Sequence, residues 1–185
     1  MPMRKSRPYR DFLIEELTPV LDNLIWSYVD HGKQLPQEQD IEIFDTHGYF
    51  NPAWYDQTYF SIVAESGVHP TTLHPVLITE KTYKPIAYRH PFVVYGDPGT
   101  LSRLRELGFE TFNNLFDESY DTITNSRQRE HAIIKTIKEF AQESYSVLTQ
   151  EKIAHNHAHF FDQELVKQRI RNEILEPLLH YAETR

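Results

Sequence analysis

The sequence predicts an α/β fold in which a parallel sheet is flanked by helices and followed by a helical C-terminal region. Short β-rich runs at 59–64 and 91–95 alternate with segments of helical spacing at 79–88 and 100–107. Strands joined through helices in this way pair in parallel, with right-handed crossovers. After residue 124 the apolar residues recur every three or four positions, and this spacing indicates helices.

Composition narrows the class of protein. The 185 residues have the length of one domain, and the absence of cysteine excludes a disulfide framework and fits a reducing compartment. The chain has no run of about 18 apolar residues, so no membrane span is predicted. Residues 1–10 lack the apolar stretch of a secretory signal. A net charge of -8 argues against a protein that coats a nucleic-acid backbone. We therefore expect one cytoplasmic domain without membrane contact.

The predicted elements divide the single domain, 1–185, into three consecutive segments. An N-terminal helix and loop segment occupies 1–57, a core of strands and helices occupies 58–124, and C-terminal helices occupy 125–185. The apolar faces of the C-terminal helices could pack either on the sheet or on a partner.

The N-terminal segment opens with helical spacing over 9–24, and Pro19 predicts a kink or a restart of that helix. Two short strands are expected, one at 25–29 and one at 41–44. A helical turn is expected near Trp54, within an otherwise polar loop.

In the core, the helix after the first strand should become regular at Lys81 or Thr82, because Pro85 is tolerated only in a first turn. Thr100 should cap the next helix, and Gly108 should end it. A third strand is expected directly afterwards, at 109–112.

The C-terminal segment predicts two helices. The first begins at Asn125 or Ser126, and its apolar face continues as far as Leu148. The second carries apolar residues from Leu165 onwards and breaks near Pro177.

Candidate ligand-binding residues follow the two predicted strands. In an open parallel sheet, ligands bind beyond the carboxyl ends of the strands. Glu65 lies just past the first strand, Thr79-Glu80-Lys81 opens the following helix, and Gly96 begins the loop after the next strand. These residues are therefore expected at one edge of the sheet.

The chemistry of these residues suits a nucleotide diphosphate. A helix N-terminus offers free N–H groups and a positive dipole end, and Lys81 and Lys84 add charge there. The carboxylate of Glu80 could accept two ribose hydroxyls. Ordinary structural alternatives remain open, since Thr79-Glu80 is also a capping pattern, Glu65 could be a loop carboxylate, and Gly96 could open a plain turn.

Two further clusters carry weaker signals. The acidic run at 117–121 is interpreted as structural, with a place in a ligand pocket left open. His155 and His159 would share one face of a helix and could bind a metal, although a structural role is favoured. Ser61 and Ser66 have no patterned His and Asp partners, so a hydrolase triad is not indicated.

Together these motifs resemble a known family. Residues 60–66, 78–81 and 91–96 resemble the donor-binding motif of α-1,3-fucosyltransferases, in which a strand ends in Glu-Asn-Ser, a helix carries Thr-Glu-Lys, and a second strand ends in Gly. The stretch is also similar to phage and bacterial glycosyltransferase-like proteins. Their shared pattern corresponds here to residues 79–86, 91–95, 107–112 and 117–121.

This resemblance implies a Rossmann-like domain, the C-terminal half of a GT-B fold, which binds a nucleotide-diphosphate sugar with a GDP-sugar favoured. It further implies that Lys81 binds the diphosphate, that Glu80 binds the ribose or base, and that Glu65 lines the donor pocket. No metal or other cofactor is implied, because basic side chains and a helix N-terminus neutralise the leaving diphosphate in that fold.

The chain departs from the family pattern in two places. The Asn of Glu-Asn-Ser is missing, because Glu65 is followed directly by Ser66. Only about 58 residues precede the donor motif, too few for the acceptor domain that usually carries the catalytic base. We therefore expect either a metal-independent glycosyltransferase, with the acceptor half supplied by a partner subunit, a second copy or a reduced N-terminal segment, or a non-catalytic nucleotide-binding module.

Overall fold

The chain is α/β, as the sequence predicts, with parallel strands and a predominance of helix. The strand expected at 41–44 lies outside the residues that the computed structural model describes. The described residues are 1–3, 5–35, 51–66, 76–140 and 146–183.

Two small parallel sheets form. In the first, β1 (Pro2–Met3) pairs with β2 (Ser27–Tyr28), which is shorter than the strand expected at 25–29. In the second, β3 (Ser61–Ala64) pairs with β4 (Phe92–Tyr95). The parallel pairing of the two core strands confirms that prediction.

The second sheet lies in the core of the domain. All four β4 side chains are buried, and successive side chains of a strand point to opposite faces, so both faces of β4 are covered. Helix α3 (Glu80–Ala87) joins β3 to β4 and packs on both strands. Helix α5 (Ser126–Lys138) packs against β4.

The N-terminal segment confirms two predictions. Helix α1 (Pro8–Leu17) is followed by a 3₁₀-helix over Thr18–Asn23, which begins one residue before Pro19 and matches the expected restart. Helix α2 (Pro52–Asp56) contains Trp54, where a helical turn was expected. Helix α1 packs against α5.

The prediction of a third strand at 109–112 is wrong. A side chain forms the backbone hydrogen bonds there that a neighbouring strand would otherwise form. The Asn156 amide accepts a hydrogen bond from the Glu110 N–H at 2.7 Å and donates one to the Glu110 carbonyl at 2.9 Å. Asn156 lies on α6 (Val147–Phe160) and is buried. Among the described residues, the second sheet therefore has two strands.

The prediction that Thr100 caps helix α4 (Thr100–Glu106) is wrong, because the N-cap is Gly99, with φ 80°. The carboxylate of Asp121 instead accepts hydrogen bonds from the N–H groups of Leu101 and Ser102, both at 2.9 Å. A charge at that position satisfies two free donors and suits the helix dipole. The acidic run at 117–121 thus has a structural role, and Gly108 ends α4 in the left-handed conformation as predicted.

The prediction that one helix reaches Leu148 is wrong, because α5 ends at Lys138 and a separate helix, α6, begins at Val147. Ser146 and Thr149 form a capping box at the start of α6. Further along the chain the helical segment is continuous through Pro177, and the expected break there is replaced by a π turn that ends two residues earlier, at Leu175. Its parts are α7 (Gln163–Ile170), a π turn (Arg171–Leu175) and α8 (Glu176–Glu183).

Candidate functional site

Glu65 follows β3, and its carboxylate is buried beneath the start of α3. The carboxylate accepts hydrogen bonds from the Thr79 N–H at 3.1 Å, the Thr79 hydroxyl at 2.6 Å and the Thr82 hydroxyl at 2.6 Å. The Ser66 N–H donates a fourth, at 3.3 Å. Glu65 thus links the N-terminus of α3 to the end of β3, and both of its carboxylate oxygens accept hydrogen bonds from groups of the protein itself.

The N-terminus of α3 lies one residue earlier than expected. Thr79 is the N-cap, and its hydroxyl accepts a hydrogen bond from the Lys81 N–H at 3.3 Å, so the helix begins at Glu80. Pro85 consequently lies in the helix interior, where it removes one backbone donor. Lys81 lies in the first turn, at the mouth of the helix.

The Lys81 ammonium bridges the end of β3 and the start of α3. It donates hydrogen bonds to the Ser66 hydroxyl at 2.9 Å, to the Glu80 carboxylate at 2.8 Å and to the Thr79 hydroxyl at 3.4 Å. The Lys81 and Glu80 side chains are 28% and 35% exposed, so their ion pair is accessible to solvent and to a ligand. Exposed pairs of this kind contribute about 1 kcal/mol or less, and an anion can displace the carboxylate at little cost.

Lys84 lies one turn further along α3 and is half-buried. Burial lowers the pKa of its ammonium, the Glu80 carboxylate opposes that shift, and the Lys81 ammonium adds to it. A bound anion would stabilise the charged form of Lys84 and raise its pKa again.

Gly96 follows β4 at the same edge of the sheet. A Cβ atom placed there would lie 3.2 Å from Val94 Cγ1 and 3.6 Å from Glu65 Cβ, so a small residue is needed for close packing of the two strand ends. The Gly96 carbonyl accepts a hydrogen bond from Arg129 Nε at 3.1 Å. Glu65 and Gly96 are thereby brought together, as the sequence predicted from their positions after parallel strands.

Arg129 is a buried charge at the same edge of the sheet. Its Nη1 donates to the Ile123 carbonyl at 2.9 Å, whereas Nη2 has no hydrogen-bond partner among the described residues. Burial lowers the pKa of the guanidinium. No motif marks this residue, because its partners are backbone carbonyls.

A cavity of about 1040 Å³ opens beside β3 and α3. Among the described residues, six basic residues and one acidic residue, Glu80, line it. The aromatic side chains of Trp54, Tyr55, Tyr59 and Phe60 also line it. The basic residues are Lys5, Arg7, Arg10, Lys81, Lys84 and Lys138.

Helix α1 covers the carboxyl end of β3, a contact that no sequence motif predicts. The Tyr9 hydroxyl contacts the carbonyl oxygens of Glu65 and Ser66 at 2.9 and 3.0 Å. Buried Arg10 donates from Nη2 to the carbonyls of Ala64 and Glu65 at 3.4 and 3.3 Å, and its Nε has no partner among the described residues. The N-terminal segment is therefore part of the candidate site.

The histidines that could have bound a metal contact the end of α4 instead. His155 Nε2 lies 2.8 Å from the Gly108 carbonyl, and His159 Nε2 lies 2.7 Å from the Leu107 carbonyl. Because a carbonyl can only accept, both Nε2 atoms donate. Within the described ranges, no three His, Asp or Glu side chains are grouped as metal ligands.

Ser61 has a histidine partner that its sequence context does not reveal. The Ser61 hydroxyl lies 2.9 Å from His90 Nδ1, and His90 Nε2 lies 2.8 Å from the Thr58 carbonyl. Nε2 must donate to that carbonyl, so Nδ1 accepts the hydroxyl proton. A hydrolase triad has a carboxylate at the position that the Thr58 carbonyl occupies here. The Ser61–His90 hydrogen bond joins the starts of β3 and β4.

No protein-family model matches the chain, and no curated protein or solved structure matches it. No helix in the described part of the chain is both long enough and apolar enough to cross a membrane. The likeness to the donor-binding motif of glycosyltransferases therefore rests on the motifs at 60–66, 78–81 and 91–96.

Proposed function

We propose that the chain binds a nucleotide-diphosphate sugar in the cavity beside β3 and α3, and transfers the sugar to an acceptor as a metal-independent glycosyltransferase. The observation that carries this proposal is the charge of the cavity. Six basic residues and one acidic residue line it among the described residues, although the whole chain has a net charge of -8. A local excess of positive charge in an acidic protein favours an anionic ligand.

The lining suits each part of such a ligand. The diphosphate takes the place of the Glu80 carboxylate at the Lys81 ammonium, and Lys84 supplies a second positive charge. The Glu80 carboxylate then accepts ribose hydroxyls. The aromatic side chains of the same cavity offer a stacking surface for the base, and the motif resemblance favours guanine.

Transfer requires charge stabilisation on one side and a base on the other. When the bond between the sugar and the diphosphate breaks, the diphosphate gains negative charge, which Lys81 and the first turn of α3 stabilise. The acceptor hydroxyl loses its proton as it attacks. We assign this base to no residue of the chain, and propose that a partner subunit, a second copy or the N-terminal segment supplies the acceptor half.

A non-catalytic nucleotide-binding module is the second candidate, and one contact favours it. Tyr9 and Arg10 occupy the carboxyl end of β3, the edge that an acceptor domain would face in a GT-B enzyme. A donor domain closed in this way could bind a nucleotide sugar for sensing or sequestration. Binding is therefore better supported than transfer.

Thermal shift with GDP-, UDP- and CDP-sugars tests binding. A ligand at about 100 times its Kd should add roughly 2.7 kcal/mol to the free energy of unfolding, and the midpoint temperature should rise. Lys81→Ala should weaken binding about tenfold to a hundredfold, as expected for a lost charge-assisted hydrogen bond. Lys135→Ala is the matched control, because Lys135 is exposed on α5 and does not line the cavity.

Absence of any shift with all three donors would reject both candidates. If a shift occurs, release of free sugar or transfer to an added acceptor distinguishes the enzyme from the binding module. A chain that binds tightly and turns over no donor, alone or with candidate partner subunits, supports the module.

A further inference from the structure

The cavity beside β3 and α3 has an aromatic end. Tyr55 lines the cavity and stacks on Tyr88, with ring centroids 5.2 Å apart, and its ring meets that of His90 edge-on at 5.4 Å. Tyr88 directly follows α3, and His90 contacts Ser61, the first residue of β3. The aromatic end therefore lies beside the end of α3 and the beginning of β3.

The opposite end of the cavity is cationic. The Lys81 ammonium donates a hydrogen bond to the Ser66 hydroxyl, beyond the end of β3, and Arg7 lines the same cavity. The Tyr9 hydroxyl lies 3.0 Å from the Ser66 carbonyl oxygen. Burial raises the pKa of this hydroxyl, whereas the guanidinium groups of Arg10 and Arg7 lower it. Both guanidinium groups therefore lie near the carboxyl end of β3, together with Lys81.

The cations that the N-terminal segment contributes have no carboxylate beside them. Among the described residues, neither the Lys5 ammonium nor the Arg7 guanidinium has a hydrogen-bond or ion-pair partner. Arg10 is buried, donates only to backbone carbonyls, and keeps an Nε that no described residue satisfies. A buried charge of this kind is costly without a counter-charge, and the surplus at this end of the cavity favours an anionic ligand group.

Helix α3 sets the order of the groups between the two ends. Lys81, Lys84 and Tyr88 follow one another at spacings of three and four residues, so they share one face over roughly 10 Å of helix. In the proposed donor complex, the two lysines bind the diphosphate and the aromatic end binds the base. The sugar is attached to the phosphate that is farther from the base, so it extends beyond Lys81, toward Arg7 and Lys5.

We propose, on the basis of the donor binding proposed above, that the transferred sugar is acidic, a hexuronate whose C6 carboxylate is bound by Arg7 and Lys5. A guanidinium group binds a carboxylate through two parallel N–H···O bonds, and the Arg10 charge adds to the positive potential around them. A neutral sugar would leave these cations without a counter-charge, which a hexuronate supplies.

Matched pairs of donors test the acidic sugar. UDP-glucose and UDP-glucuronate differ only at C6, where a carboxylate replaces a hydroxymethyl group, and GDP-mannose and GDP-mannuronate form a second such pair. In calorimetry with the full-length protein, the acidic member of whichever pair binds should have a dissociation constant about fivefold to tenfold lower. Arg7→Gln should bring the two constants to within about twofold of each other, and circular dichroism checks that this variant keeps the fold.

Lys138→Gln is the matched control, because it also removes one positive charge from the cavity lining. Lys138 pairs with Glu16 at 3.6 Å, roughly 13 Å along α1 from Arg7. The control should weaken both members of a pair alike and preserve their ratio. An equal loss of preference in the two variants would show that the general positive field selects the acidic donor, and would overturn the assignment to Arg7.

The same measurements separate the acidic sugar from donor binding itself. Binding of the neutral donor with no gain for its acidic counterpart would overturn the acidic sugar and leave the proposed function intact. Failure of all four donors to bind would also overturn it. If CDP-sugars give no thermal shift either, donor binding is rejected as well.

Discussion

The carboxylate of Glu65 accepts hydrogen bonds from both the backbone N–H and the hydroxyl of Thr79, at 3.1 and 2.6 Å. One side chain at the end of β3 thereby sets the start of α3 and the position of Lys81 in its first turn. The buried glutamate and the partly exposed lysine of the candidate site have separate tasks, since the first positions the helix and the second is available to a ligand.

Glu65→Gln should destabilise the fold by roughly 2 kcal/mol, measured by urea unfolding. Whichever way the amide is oriented, its NH₂ group faces a backbone N–H, of Thr79 or of Ser66, that the carboxylate satisfies. Glu106→Gln is the control, because its carboxylate is 60% exposed and should cost less than about 0.5 kcal/mol. Equal costs for the two variants would contradict the anchoring role.

Gly108→Ala should cost more stability than Gly32→Ala. Both glycines have positive φ, at 90° and 74°, so both substitutions carry backbone strain of about 1–2 kcal/mol. A Cβ at Gly108 would also lie 2.6 Å from His159 Cε1, whereas no atom of the described residues lies within 4 Å of one at Gly32. The additional cost should be about 1–3 kcal/mol.

A double-mutant cycle with His159→Ala checks the source of that additional cost. Removal of the ring should bring the cost of Gly108→Ala close to that of Gly32→Ala. An unchanged cost would show that backbone strain alone is responsible.

The free energy of unfolding should fall as pH decreases below 6.5, because burial lowers the pKa of His90. Folding favours the neutral imidazole, so the unfolded chain binds the proton first, and stability is lost between 6.5 and the lower folded pKa. Protonation also ends the acceptor role of Nδ1 toward Ser61. His90→Asn should flatten this pH dependence, whereas His157→Gln should not, and this variant controls for a second histidine whose pKa is lowered by burial among the described residues.

Binding of a nucleoside diphosphate should be accompanied by proton uptake just below pH 10.5, the ordinary pKa of lysine, because the ligand raises the lowered pKa of Lys84. Calorimetry with GDP in buffers of different ionisation enthalpy measures the protons. Lys84→Arg should keep the binding and lose the uptake, since arginine stays charged at this pH. Uptake that persists in the arginine variant would assign the proton to another group.

The elements that could be predicted from the sequence are those with local causes. The β-rich runs that form β3 and β4 are short and are bounded by proline or polar residues, and α3 follows β3 in the expected order, although the Thr79 cap starts it one residue before the expected position. The position of Lys81 at the end of the sheet follows from that order of elements, and this prediction is confirmed.

What could not be predicted depends on partners that are distant in sequence. The run at 109–112 has strand-like composition, but Asn156, 46 residues beyond Glu110, satisfies its backbone. Three side chains contact the site through hydrogen bonds to backbone carbonyl oxygens, namely Tyr9, Arg10 and Arg129. Every residue has such an oxygen, so no sequence motif predicts these contacts.

The contacts of Tyr9 also have a consequence for the order in which the chain folds. Its hydroxyl reaches a residue 56 positions later, and its carbonyl accepts a hydrogen bond from the Tyr95 hydroxyl, 86 positions later. Closing loops of this length costs entropy before any contact compensates for it, and such contacts slow folding. On the ribosome, α1 is complete long before the strands it covers have been synthesised. Helix α1 therefore completes its docking only after Tyr95 has been synthesised, and the cavity is completed only after that step.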